Sequence, residues 1–179
     1  QIEIDKLPAG VTVKAKFTGD DASSDPDILD IGAADASTTT TAVTVQVDAA
    51  FTDVDDSINI DAAGVETFTL YNKSGAATNV FDLAGVTPTT DSKTKIIVTG
   101  VGATLKTLSS DTDTVDASAA TGAITIAAAD RPDTAMTITT STGDDSIAMD
   151  HKNDVIDAGT GTDTLVVGGN GVLGGFAVD

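Results

Sequence analysis

Apolar residues alternate with polar ones along much of the chain, and the alternation has a period of two. Val11, Val13, Ala15 and Phe17 share one face with Thr12, Lys14 and Lys16 on the other, after an opening pair Ile2 and Ile4. Successive side chains of a β-strand point to opposite sides, so this period predicts strands, with Pro8-Ala9-Gly10 as a turn. Residues 20–35 are a polar loop leading into a short strand over 28–31. Its Asp20, Asp21, Asp25, Asp27 and Asp30 are either an ion site or a solvated acidic loop. Further strands are expected at 42–47, around Ile58 and Ile60, and at Val65, Phe68 and Leu70 beyond a small-residue corner. The same pattern recurs over 80–86 and 95–101, at Leu105 with Leu108, at Val115, at Ile124 with Ile126, and over 135–140. No stretch carries a helical period, and threonine, a strand former, is dense throughout. The pattern predicts an all-β chain.

One stretch adds chemistry to the alternation. Residues 140–166 fall into three rows of nine: TSTGDDSIA, MDHKNDVID and AGTGTDTLV. The sixth place is Asp145, Asp154 and Asp163; the eighth is Ile147, Ile156 and Leu165; the fourth is Gly143 and Gly161, with Lys152 between them. This is a degraded form of the glycine- and aspartate-rich nonapeptide that builds a calcium-binding parallel β-roll. Glycine lets the backbone take positive φ and brings carbonyl oxygens together. Aspartate offers the hard anionic oxygen that Ca²⁺ prefers. The aliphatic residue two places on turns inward. The plain alternative is an Asp-rich set of surface turns. Beyond residue 167, GGNGVLGG keeps the glycines but puts Leu173 where an aspartate belongs, so the register ends there.

Charge sharpens this picture. The net charge of −19 and pI of about 4.1 argue against nucleic acid and anionic membrane surfaces as partners. The acidity is nearly all aspartate, since Glu3 and Glu66 are the only glutamates, and turns and calcium sites favour Asp where generic acidic tails use Glu freely. A hydrophobic content of 40% is too high for a disordered tail. With alanine frequent and aromatics at 3%, the expected core is thin and filled by small side chains, which suits a solenoid. Cysteine is absent, so a calcium ion would take the part that disulfides play in other exported proteins. No signal peptide or membrane-spanning run is seen, and the start at Gln1 suggests a piece of a longer protein.

The segments DDSINIDAAGVETFTL and IIVTGVGATLKTLSSDTDTVDASAATGAITI, followed by TGDDSIAM and TGTDTLVV, resemble the calcium-dependent surface-layer proteins of Gram-negative bacteria. Those belong to the repeats-in-toxin (RTX) class of exoproteins. The resemblance implies a right-handed parallel β-solenoid ending in a calcium β-roll, with irregular coils in the N-terminal part. It divides the chain into an irregular β segment (1–52), solenoid coils (53–139) and an RTX-like calcium roll with the C-terminal end (140–179). In that family two rows make one coil, so Asp145 and Asp163 would face each other across one Ca²⁺, with Gly143 and Gly161 shaping the turns. Asp144 lies beside them. Asp154 would fall on the opposite side, where the Lys152 ammonium competes with a cation. Asp111 and Asp113 are further candidate ligands. The resemblance also implies type I secretion, folding outside the cell and assembly with copies of itself into a surface lattice. Any contact with cell-surface polysaccharide would come through another part of the full protein, and no membrane insertion is expected.

Catalysis is not expected. The chain has one histidine (His151), one arginine (Arg131), one tyrosine (Tyr71) and no cysteine, and no serine sits in a nucleophile-elbow context. Zinc would want more His or Cys. His151 reads as an exposed turn residue. A structural, calcium-stabilised surface-layer segment is therefore the leading expectation. The alternative is a calcium-dependent adhesin or glycan-binding module of a secreted exoprotein, which clustered exposed aromatics would favour. An ice-binding solenoid would need its threonines in register on one flat face, and tracts such as Thr38 to Thr41 and Thr137 to Thr140 are irregularly spaced.

Overall fold

The structure, a computed structural model, describes residues 2–7, 14–17, 27–33, 42–48, 57–75, 79–89, 91–127, 134–149 and 151–167. The register-breaking GGNGVLGG segment, Asp20, Asp21, Asp25 and Thr38 to Thr41 lie outside them.

Among the described residues there are fifteen strands and no helix. In chain order they are β1 (Ile2–Leu7), β2 (Lys14–Phe17), β3 (Asp27–Ala33), β4 (Ala42–Val47), β5 (Ser57–Ala63), β6 (Thr67–Asn72), β7 (Val80–Thr87) and β8 (Thr94–Gly100). The series continues with β9 (Ala103–Leu108), β10 (Thr112–Ala120), β11 (Ile124–Ile126), β12 (Thr137–Thr139), β13 (Ser146–Met149), β14 (Val155–Asp157) and β15 (Thr164–Val167). The chain is all-β, as the period of two predicts.

The strands sort by parity. Odd-numbered strands form one eight-stranded sheet in the order β1-β3-β5-β7-β9-β11-β13-β15, and even-numbered strands form a seven-stranded sheet from β2 to β14. Every pairing is parallel. Each strand therefore pairs with the strand two places on, after the chain has crossed to the other sheet and returned. Both sheets run without a break across residues 52 and 139.

Register fixes the core. In the even sheet Val43, Phe68, Ile96, Val115, Ile138 and Ile156 stand in line, strand over strand. In the odd sheet the corresponding line is Ile58, Phe81, Leu105, Ile126, Ile147 and Leu165. The inner residues of the two sheets meet in one apolar cluster. Because a parallel strand alternates its side chains, a one-residue slip would turn a whole line outward, and burial holds the register. The core differs from the small-residue filling that composition suggests. Its largest fully buried side chains are Phe68, Phe81 and a set of Ile and Leu, with Ala62, Ala103, Ala117 and Ala120 as minor members. Composition averages over the whole chain, whereas the register gathers the bulky residues onto the inner lines.

Candidate metal centre

Short turns lead from the even sheet into β11, β13 and β15 of the odd sheet, and they stack on one another. Carrying the strand register back by two residues places Ala103, Ile124, Asp145 and Asp163 at successive levels of one line. Upstream this line is apolar and buried: Ala103 and Ile124 are fully enclosed. At the next level stands Asp145, only 2% exposed, so a carboxylate occupies a place where the preceding levels put hydrocarbon.

That carboxylate is half satisfied. Asp145 Oδ1 accepts a hydrogen bond from the backbone N–H of Ile124 at 2.7 Å. Oδ2 is buried and has no hydrogen-bond partner. Leaving a buried polar atom unmatched costs about 1–3 kcal/mol, and more when it is charged. The next level repeats the first contact: Asp163 Oδ1 accepts from Asp145 N at 3.0 Å, across 18 residues. Asp145 in turn offers its carbonyl to Thr164 N at 2.7 Å. Outside this pair, the exposed Asp144 accepts from Thr162 N through Oδ1 at 2.9 Å. The structure thus brings Asp144, Asp145 and Asp163 to the same corner.

Glycines make the corner possible. Gly143 (φ +146°) and Gly161 (φ +151°) lie where side chains strain the backbone. A Cβ on Gly161 would overlap the carbonyl of Gly143, and one on Gly143 would press on Gly122 and Ala123. The turns are further laced by Gly143 N to Thr160 O at 3.1 Å and Thr160 N to Ser141 O at 2.7 Å. Gly102 and Gly122 belong to the same column, since a Cβ on either would strike the backbone of the adjoining turn. Sequence reading missed these two. For Gly122 the available signal was a glycine followed four places later by an aliphatic residue, shared by Gly122–Ile126, Gly143–Ile147 and Gly161–Leu165; Gly102, followed by Lys106, carries no such signal. It also missed Ile124, which contributes only its backbone N–H.

The remaining candidates stand elsewhere. Asp154 precedes β14 in the even sheet, away from the Asp145–Asp163 line. Its Oδ1 accepts from Met136 N at 2.9 Å and its Oδ2 from His151 N at 3.2 Å, so backbone donors engage both oxygens. Lys152 is exposed in that turn, and half-buried His151 accepts from Asn153 N through Nδ1 at 3.2 Å. Asp111 precedes β10 and pairs with Lys93 at 3.1 Å. Asp113 is exposed and accepts from the neighbouring Thr114 hydroxyl at 3.0 Å. Asp30 lies in β3, within the strand expected over 28–31, and is in register with Asp61; Asp27 opens the same strand rather than standing in the loop before it.

The corner offers hard oxygen donors only, which fits Ca²⁺ and not zinc. Among the described residues no three His, Cys, Asp or Glu side chains converge on a metal-sized site. Two carboxylates would need backbone carbonyls or water to complete a shell. No protein-family model matches the chain, and neither does any curated protein or solved structure.

Proposed function

We propose that this chain is a calcium-stabilised structural segment of a bacterial surface layer, a right-handed parallel β-solenoid whose last rows form a calcium β-roll. The sheets alternating by parity support the solenoid, because a chain that visits two parallel sheets in strict turn winds as coils. The observation that carries the calcium reading is Asp145: a buried carboxylate with Oδ2 unmatched, one level from the carboxylate of Asp163, in a stack of glycine turns. A cation there answers the unmatched oxygen and offsets the repulsion between successive carboxylates, which for a solvent-screened pair is worth up to about 1 kcal/mol. Asp145, Asp163 and the carbonyls of the turns holding Gly143 and Gly161 form the ligand set. Asp154, with both oxygens on backbone donors, stays out of it.

The ion acts as a switch between compartments. Extracellular calcium modules bind with dissociation constants of about 0.1–1 mM. Binding to the folded form alone stabilises it by mass action, so folding favours the outside of the cell, where copies then tile into a lattice. Among the described residues the aromatics give a glycan-binding module no support: Phe68 and Phe81 are core residues and Tyr71 is half-buried. An ice-binding face fares no better. The outer line Thr67, Lys95, Thr114, Thr137 is interrupted by a lysine, and its neighbour Thr69, Ile97, Asp116, Thr139 by Ile97 and Asp116.

Calorimetric titration with CaCl₂, paired with electron microscopy, tests both halves. Saturable binding near the millimolar range, weakened at least about tenfold in Asp145→Asn, is the expected outcome. Ordered two-dimensional arrays should appear with calcium and not with chelator. A flat titration to about 10 mM ends the calcium reading; dispersed particles in saturating calcium end the lattice reading.

A further inference from the structure

The two ends of the described stack are held by different physics. From β4 to β11 the inner lines are closed: Val43, Phe68, Ile96 and Val115 in one sheet, and Ile58, Phe81, Leu105 and Ile126 in the other, are at most 1% exposed. Toward β14 and β15 the apolar contribution falls: Ile138 and Ile147 are still buried, but Ile156, next on the even line, is half-buried and Leu165, next on the odd line, is 51% exposed. A cavity of about 180 Å³ opens between Ile147, Ile156 and Leu165.

Polar groups change character over the same interval. At an upstream corner, buried Asn72 and Asn79 satisfy each other and the backbone without charge: Asn72 Nδ2 donates to Gly102 O at 2.7 Å, Ser74 Oγ to Asn72 Oδ1 at 2.7 Å, and Asn79 Nδ2 to Ser74 Oγ at 3.1 Å. Upstream the Glu66 carboxylate also accepts from Thr89 N, at 3.2 Å, and downstream such carboxylate links recur at successive levels. Asp145 reaches Ile124 N, Asp154 reaches Met136 N, Asp163 reaches Asp145 N and Asp144 reaches Thr162 N. Where Ala103 and Ile124 bury hydrocarbon, Asp145 and Asp163 stack like charges and leave Oδ2 of Asp145 bare.

We infer that calcium controls only the C-terminal levels. Residues 42–127 keep their strands without the ion, and residues 136–167 close onto them when the Asp145–Asp163 site is filled, with β10 and β11 as the standing template. This rests on the calcium reading above and narrows it: the switch is a zipper on a preformed edge rather than a coil-to-fold transition of the whole chain. Opening the last levels exposes Met136, Ile138 and Ile147, whereas opening the upstream levels would expose the larger set that includes Phe68, Phe81, Ile58, Leu83, Ile96 and Leu105 to water.

Hydrogen exchange read by mass spectrometry on the full 179-residue chain, in millimolar calcium and in chelator, decides it. In chelator, peptides within 136–167 should exchange at least about tenfold faster, while peptides within 57–72 and 94–108 stay within about twofold. Asp145→Asn in calcium should reproduce the chelator pattern, confined to the same segment. Loss of protection along the whole chain in chelator overturns this inference and leaves calcium stabilisation standing. Unchanged exchange everywhere overturns the calcium reading together with it.

Discussion

At the scale of single residues, the decisive comparison is along one line: Ala103, Ile124, Asp145, Asp163. Four residues at equivalent places experience different chemistry because the last two are charged, and only Asp145 is both charged and enclosed. The exposed Asp163 lets the charge be varied with little loss of packing. Asp163→Asn keeps an oxygen for Asp145 N and removes one of two neighbouring charges. In chelator this variant should match or exceed the wild type in stability, by up to about 1 kcal/mol for a solvent-screened pair. In millimolar calcium it should fall below the wild type. Thermal melts in the two buffers read the crossing directly, and a variant less stable by the same margin in both rules out an ion-linked role. Gly161→Ala tests the corner itself. Positive φ and the overlap with the Gly143 carbonyl together should cost about 2–4 kcal/mol, compared with about 1 kcal/mol for Gly75→Ala, where φ is +79° and an added Cβ meets nothing within 4 Å.

At the scale of elements, strands are joined by ladders that side chains reinforce in places. Lys95 on β8 reaches Asp116 on β10 at 2.7 Å, with both partly exposed. The Lys95 ammonium first, and then the Ser118 hydroxyl, hold the Asp116 carboxyl below its ordinary value of 3.8. A depressed folded-state pKa adds stability that is complete above the unfolded value and disappears as pH falls through the folded one. Lys95→Met should therefore cost no more than about 1 kcal/mol at pH 7. The difference should begin to fade as the pH passes 3.8 and be gone once Asp116 is protonated in both states. Urea denaturation at several pH values measures it.

Strands were the part of the fold most readable from sequence. The alternation at 42–47 delivers β4 to the residue, because branched apolar side chains mark the inner face without ambiguity. β10 was harder. It runs from Thr112 to Ala120 through Asp113 and Asp116, and its inner places include Ala117 and Ala120, too small to stand out from the alanines around them. Pairing was legible only where spacing is regular. Ile138 to Ile156 is 18 residues, but Phe68 to Ile96, equally in line, is 28, because turns of different length separate equivalent strands. The same limit hid Gly102 and Gly122 while the nonapeptides exposed Gly143 and Gly161. The half-satisfied state of Asp145 was invisible beforehand, since it depends on which backbone N–H the register delivers to each oxygen.

At the scale of the whole molecule, stability is distributed along the stack instead of around a centre. Each level touches only the levels beside it, so damage should stay local in character even when large in size. Phe81→Ala, in the middle of the odd sheet, should cost about 3–5 kcal/mol whether or not calcium is present, as judged by chemical denaturation in both conditions. A calcium-dependent cost at Phe81 would mean that the upstream levels share the ion's effect.

Strict alternation of the chain between two parallel sheets also governs how such a molecule changes size. Because each level is joined to the next by the same parallel ladder, gaining or losing one out-and-back circuit alters the height of the protein by about 4.8 Å, the spacing between hydrogen-bonded strands. Growth in evolution would then proceed in whole increments, like courses of brick, and any assembly built from it would inherit a thickness counted in those units.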